Sequence, residues 1–149
     1  MIKKGFMYLL VYIMWFIAIG VGLWFFYISR NSFLGVMSNL FVRGNLARSM
    51  EVRFFEKVFV MIIGLVYAIS MLGVFEFFRF GAEKPDFIDR IALVIGIELV
   101  LVFLADITWL WAQNFKSNFP FRWPILIGEL LLGIGLLIFS IRSHRLRTG

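Results

Sequence analysis

Cysteine is absent from the 149 residues, histidine occurs once and proline three times. Without cysteine there can be no disulfide, no cysteine-ligated iron–sulfur cluster and no thiolate zinc site. The lone histidine, His144, lies in the charged C-terminal stretch, so bis-histidine haem ligation within one chain is excluded. Charge is scarce as well: Asp, Glu, Lys and Arg make up 16% of the chain, against 62% hydrophobic residues. A soluble domain carries ~25% charged residues and is nearer half apolar. No Ser/His/Asp or Cys/His set, no Gly-rich phosphate loop and no His/Asp/Glu cluster at metal-ligand spacing is visible, so catalysis is the weakest functional class.

What the chain does have is long apolar runs. Several approach the ~20 residues needed to cross a ~30 Å hydrocarbon core. They predict an all-α membrane protein forming one polytopic domain over residues 1–149. Four transmembrane helices are expected, at about 6–28, 58–76, 90–111 and 124–141. The first run is too long for a signal-peptide core and ends in Trp24-Phe25-Phe26-Tyr27 with no small-residue cleavage site. It is therefore expected to be retained as a span, with Trp24 and Tyr27 as an interfacial belt. Residues 31–57 contain apolar stretches too short to cross, interleaved with basic residues. They predict an interfacial amphipathic segment between helices 1 and 2, with Asn45 as a possible N-cap. Gly81 and Pro85 should end the second helix, and Pro124 suits the first turn of the fourth. Asp86 and Asp89 read as caps of the third helix.

Small residues recur in every span. Ala18 with Gly22, Gly64 with Ala68, and Ala92 with Gly96 have the small-xxx-small spacing that lets helices approach closely, and Gly128, Gly133 and Gly135 form a smooth strip on the fourth. Arg43, Arg48, Arg53, Arg142, Arg145 and Arg147 are expected to meet lipid head groups. The formal net charge of +6 is accordingly read as membrane anchoring, not nucleic-acid binding. Lys and Arg divide almost evenly between the two sides of a four-span topology. The basic tails favour both termini in the cytoplasm, in a plasma or inner membrane.

The sharpest chemical feature is the acid content of the hairpin 91–141. Glu98 and Glu129 lie inside apolar runs and Asp106 at the end of one, while no Lys, Arg or His lies inside any run. A carboxylate in hydrocarbon costs a few kcal/mol or more, which marks a pairing, a pathway or a switch. With the third and fourth helices as antiparallel neighbours at 1.5 Å rise per residue, Asp106 and Glu129 differ by only ~4.5 Å in depth. They are placed to share a proton or a cation.

The stretch from Asp106 to Gly128, with Asn114-Phe115-Lys116-Ser117-Asn118-Phe119-Pro120-Phe121-Arg122-Trp123 followed by Ile127-Gly128, resembles the phosphate-starvation-inducible membrane proteins. The likeness is confined to that stretch, needs a gap, and sits among spans arranged differently. It implies a polytopic membrane setting and no mechanism. The expected function is a non-catalytic accessory or assembly subunit of a larger membrane complex, packing through its small-residue faces. Expected partners are the bilayer and other membrane subunits, a hetero-complex before a homo-oligomer. No cofactor is expected beyond bound lipid. The alternative is a small homo-oligomeric channel or a proton- or cation-coupled transporter using Glu98, Asp106 and Glu129. The absence of an internal repeat weighs against a carrier.

Overall fold

Leucine, isoleucine, valine and phenylalanine without interruption by proline leave the backbone one way to satisfy its polar groups in lipid, the α-helix. The computed structural model describes residues 2–41, 46–82, 84–113 and 122–148. Within them lie four helices: α1 (Ile2–Phe41), α2 (Leu46–Gly81), α3 (Phe87–Ala112) and α4 (Arg122–Thr148). Each contains a stretch long and apolar enough to cross a membrane, from Gly5–Leu40 in α1 to Arg122–Ser143 in α4. Gly81 and Pro85 bracket the α2–α3 turn, and Pro124 falls in the first turn of α4, both as expected.

Among the described residues, the interfacial segment expected over 31–57 is not distinguished as an element of its own. Residues 31–41 prolong α1, which reaches 40 residues, and 46–57 prolong α2, which reaches 36. At 1.5 Å per residue α1 is ~60 Å long, about twice the hydrocarbon core. Pairing across the hairpin explains the extension. Arg30 bridges Glu56 at 2.7 Å, and Phe33 stacks on Phe59 with ring centroids 4.4 Å apart. Val52 is buried. On the other side of α1, Gly35 lies against the Ala112 methyl group and Asn39 donates to the Ala112 carbonyl. Asn45, the suggested cap, lies outside the described residues.

The helices form an open layer. α3 packs on α4 and on α1, α1 packs on α2, and α2 touches α3 only lightly. α1 and α3 run in the same sense, since Val11 clusters with Phe87 near one end and Ile28 with Val102 and Ala105 further along. α2 and α4 run antiparallel to their neighbours.

Close approach rests on small residues. A Cβ on Gly22 would run into the Tyr67 ring. One on Gly96 would sit 3.1 Å from the Gly133 carbonyl oxygen, and one on Gly133 3.2 Å from that of Gly96. Those two glycines form the α3–α4 crossing. Ala18 and Ala92 are buried. Gly64 meets only the Phe26 ring, at 3.8 Å, and Ala68 is exposed. Gly128 and Gly135 face open space in this chain.

Hydroxyl, phenol and indole groups then clamp helix to helix. Tyr67 donates to the Ile19 carbonyl at 2.8 Å, Trp15 to Met71 at 2.9 Å, Ser32 to Ala105 at 2.6 Å and Ser140 to Asp89 at 2.9 Å. In an apolar setting such bonds contribute roughly 0.6–2 kcal/mol each.

Candidate functional site

The three acids of the α3–α4 hairpin meet three different environments. Asp106, 1% exposed, lies in the last turns of α3, where antiparallel pairing brings it beside the first residue of α4. That residue is Arg122, which forms an ion pair with Asp106 and lies over the Trp109 ring at 4.0 Å. The expectation that no cation of this chain neutralises the acids is therefore corrected for Asp106. Arg122 is outside the apolar run but opens the helix that carries it, about two turns before Glu129.

Glu129 is half-buried and accepts a hydrogen bond from the Trp24 side chain, with Asp106 and Arg122 within electrostatic reach. Its Oε2 is buried without a hydrogen-bond partner among the described residues. The predicted nearness of Asp106 and Glu129 holds. Arg122 pairs with Asp106 and lies within electrostatic reach of Glu129 as well. The Trp24 side chain reaches Glu129 of α4, a contact beyond the belt position expected for it, while half of the residue stays exposed.

Glu98 is 8% exposed, and neither of its carboxylate oxygens has a hydrogen-bond partner among the described residues. It lines a cavity of about 300 Å³ between α2 and α3, floored by Gly22 and Phe25 of α1. The two hydroxyls on the cavity wall are committed elsewhere: Tyr67 to Ile19, and Ser70 to Val66 of its own helix at 2.8 Å. Its wall is otherwise hydrocarbon. Glu129 does not line this cavity.

A third polar group closes the α2–α3 turn outside the spans. Asp86 occupies the N-cap position of α3 but makes no side-chain cap bond, which corrects its reading as a cap. Instead its carboxylate accepts from Arg90 at 3.0 Å, and Arg90 also lies 4.7 Å from the Phe77 ring centroid. Burial pushes the Asp86 carboxyl up, but the hydrogen bond and charge of Arg90 outweigh it and hold the group below its ordinary range. Asp89 is buried in the first turn, next to the Ser140 contact.

Of the residues expected at head groups, Arg53, Arg142 and Arg145 are exposed. Arg43 and the side chains of Arg48 and Arg147 lie outside the described residues. Sequence reasoning missed Arg122, Trp24 and Tyr67 as site residues. The signal for Arg122 was present, because Pro124 marks a first helical turn and so puts residue 122 at the helix mouth. No grouping of three or more His, Asp or Glu that would hold a metal ion occurs among the described residues.

Fold and site together define an all-helical protein whose four helices are each long and apolar enough to cross a membrane. No family model, curated protein or solved structure matches the chain. The resemblance of the Asp106–Gly128 stretch thus gains no support as a family relationship.

Proposed function

We propose that this chain is a non-catalytic accessory or assembly subunit of a larger integral membrane complex. The observation that carries the reading is the outer face of α4. Gly128 and Gly135, two turns apart, have no atom within 4 Å of a would-be Cβ, and the neighbouring Leu131, Leu132 and Phe139 are exposed. Glycine in a lipid-facing helix costs about 1 kcal/mol relative to alanine and gains nothing unless another backbone comes close. α4 meets its own chain through the opposite face, at Gly133. A second subunit's helix against Gly128 and Gly135 gives these glycines a use.

The finer placement follows from charge. The basic ends, Lys3 and Lys4 with Arg142, Arg145 and Arg147, lie on the cytoplasmic side of a plasma or inner membrane. Arg53 and its neighbours, at the far ends of α1 and α2, meet head groups as the interfacial part of the chain. The channel or transporter alternative draws on Glu98 and the unfilled oxygen of Glu129.

Native mass spectrometry of mildly solubilised wild type and of Gly128→Leu/Gly135→Leu tests the subunit reading. Wild type is expected to carry other polypeptides and the variant to shed them. A wild-type monomer or homo-oligomer, unchanged in the variant, overturns it and sends the question to proton-flux assays in liposomes.

A further inference from the structure

A buried carboxylate with no donor is an unfinished interaction. Glu98 is 8% exposed, both its oxygens lack hydrogen-bond partners among the described residues, and it faces a cavity of about 300 Å³. No Lys, Arg or His lines that cavity, and its two hydroxyls donate to backbone carbonyls. Away from the oxygens of Glu98, Tyr67 and Ser70 the wall is apolar, and apolar surface does not hold water. At ~30 Å³ per water the volume equals about ten waters, room for the head and first carbons of a small amphiphile.

The cavity does not end there. A second space of about 440 Å³ shares Phe25, Ile63 and Leu101 with it and continues along α1 to Val36 and along α3 to Thr108. The two form one groove, closed below by α1 and open sideways, where Val66, Ile97 and Leu101 carry exposed side chains. An acid at one point of a hydrocarbon groove selects charge and length together. An anion is repelled, and a neutral alkane leaves the carboxylate unpaired. A cation with an aliphatic tail satisfies both parts.

We propose that the groove between α2 and α3 binds a single-chain aliphatic amine, with Glu98 as the counter-ion of its ammonium head and the tail lying along Phe25 and Leu101. Depth decides between a free amine and a phospholipid head group. Glu98 is ~17 Å along α3 from Phe87 and ~21 Å from Ala112, near the middle of the helix. Head groups stay outside the ~30 Å hydrocarbon core, so an anchored lipid ammonium does not reach it. A single-chain amine enters from the side. Its head leaves water for the carboxylate and for the faces of Phe25 and Tyr67, which attract cations. The site is independent of the α4 face and stands whether or not the chain is a subunit.

The test uses the full chain in phosphatidylcholine nanodiscs, photolabelled with a diazirine-bearing dodecylamine or with the matching alcohol. Labelled residues are mapped by mass spectrometry, with and without excess plain dodecylamine. Wild type is expected to show saturable amine labelling at Phe25, Ile63 and Leu101, at least tenfold above the alcohol. Glu98→Gln should remove that excess. Ser70→Phe, which fills the cavity from an exposed position and leaves residue 98 unchanged, should lose it too and guards against misfolding of the first variant. Equal labelling by amine and alcohol, or labelling unchanged in both variants, overturns the proposal. So does a co-purifying polypeptide cross-linked at the same residues, which would assign the groove to a partner helix.

Discussion

Replacing Arg122 by Met should be the most damaging single polar change in the protein. Asp106 has a side chain 1% exposed and Arg122 one 14% exposed, so the pair is removed from solvent on both sides. Taking away one member of a buried pair costs roughly 3–5 kcal/mol, because the remaining charge stays buried and unpaired. A ceiling comes from proton uptake: protonating a carboxyl of ordinary pKa ~3.9 at pH 7 costs about 4 kcal/mol. Loss of the guanidinium over Trp109 adds about 0.5–2 kcal/mol. The unfolded chain in a micelle also finds partners for its polar groups, which pulls the measured value toward the lower end. About 3 kcal/mol is expected from SDS-driven unfolding in mixed micelles followed by far-UV circular dichroism. The double variant Asp106→Leu/Arg122→Met removes both charges and should recover most of that loss, since apolar replacements of buried pairs are often neutral. A single-variant loss under ~1 kcal/mol, or a double variant as unstable as the sum of the singles, would refute an intrachain pair that carries its own desolvation.

Two further outcomes follow from contacts elsewhere in the chain. Gly96→Ala presses a methyl group to 3.1 Å from a backbone oxygen and 3.0 Å from Leu137 Cγ and should cost about 1–3 kcal/mol. Gly135→Ala meets open space and should be neutral or stabilising by up to ~1 kcal/mol in the isolated chain, so equal melting of the two variants refutes the packing argument. The Asp86 carboxyl is held below its ordinary range by Arg90, so its contribution is present above the unfolded pKa of ~3.9 and disappears as pH falls through the lower folded value. Asp86→Asn should therefore melt below wild type at pH 7, by under ~1 kcal/mol for so shallow a pair. The difference should shrink as pH falls below about 4, and a gap that stays constant there contradicts the assignment.

Which of these features the sequence discloses depends on the range over which each is decided. Run length, Gly81, Pro85 and Pro124 act within a turn or two of themselves, and the helices and the α2–α3 break follow from them. The fate of residues 31–57 is decided across the hairpin, by Phe33 on Phe59 and Arg30 on Glu56. Residues that read as an interfacial segment when taken alone thus become the ends of two long helices. The acids follow the same rule. Hydropathy alone marks Glu98, Asp106 and Glu129 as costly. Whether that cost is met depends on residues brought near by folding. Asp106 obtains Arg122, sixteen positions on, and Glu129 obtains Trp24 from α1.

Glu98 shares its cavity wall with two hydroxyl donors, yet Tyr67 and Ser70 both give their protons to carbonyls. For Tyr67 that choice joins two helices: its ring fills the space that Gly22 leaves, and its hydroxyl reaches Ile19. Turning the hydroxyl toward Glu98 would give up a bond between α1 and α2 to satisfy an acid on α3. The same contact that holds α2 on α1 thus leaves the acid unsatisfied and the groove open. When Glu98 is ionised, the described residues offer it no counter-charge, which is why the proposed cation is sought at Glu98 before Asp106 or Glu129.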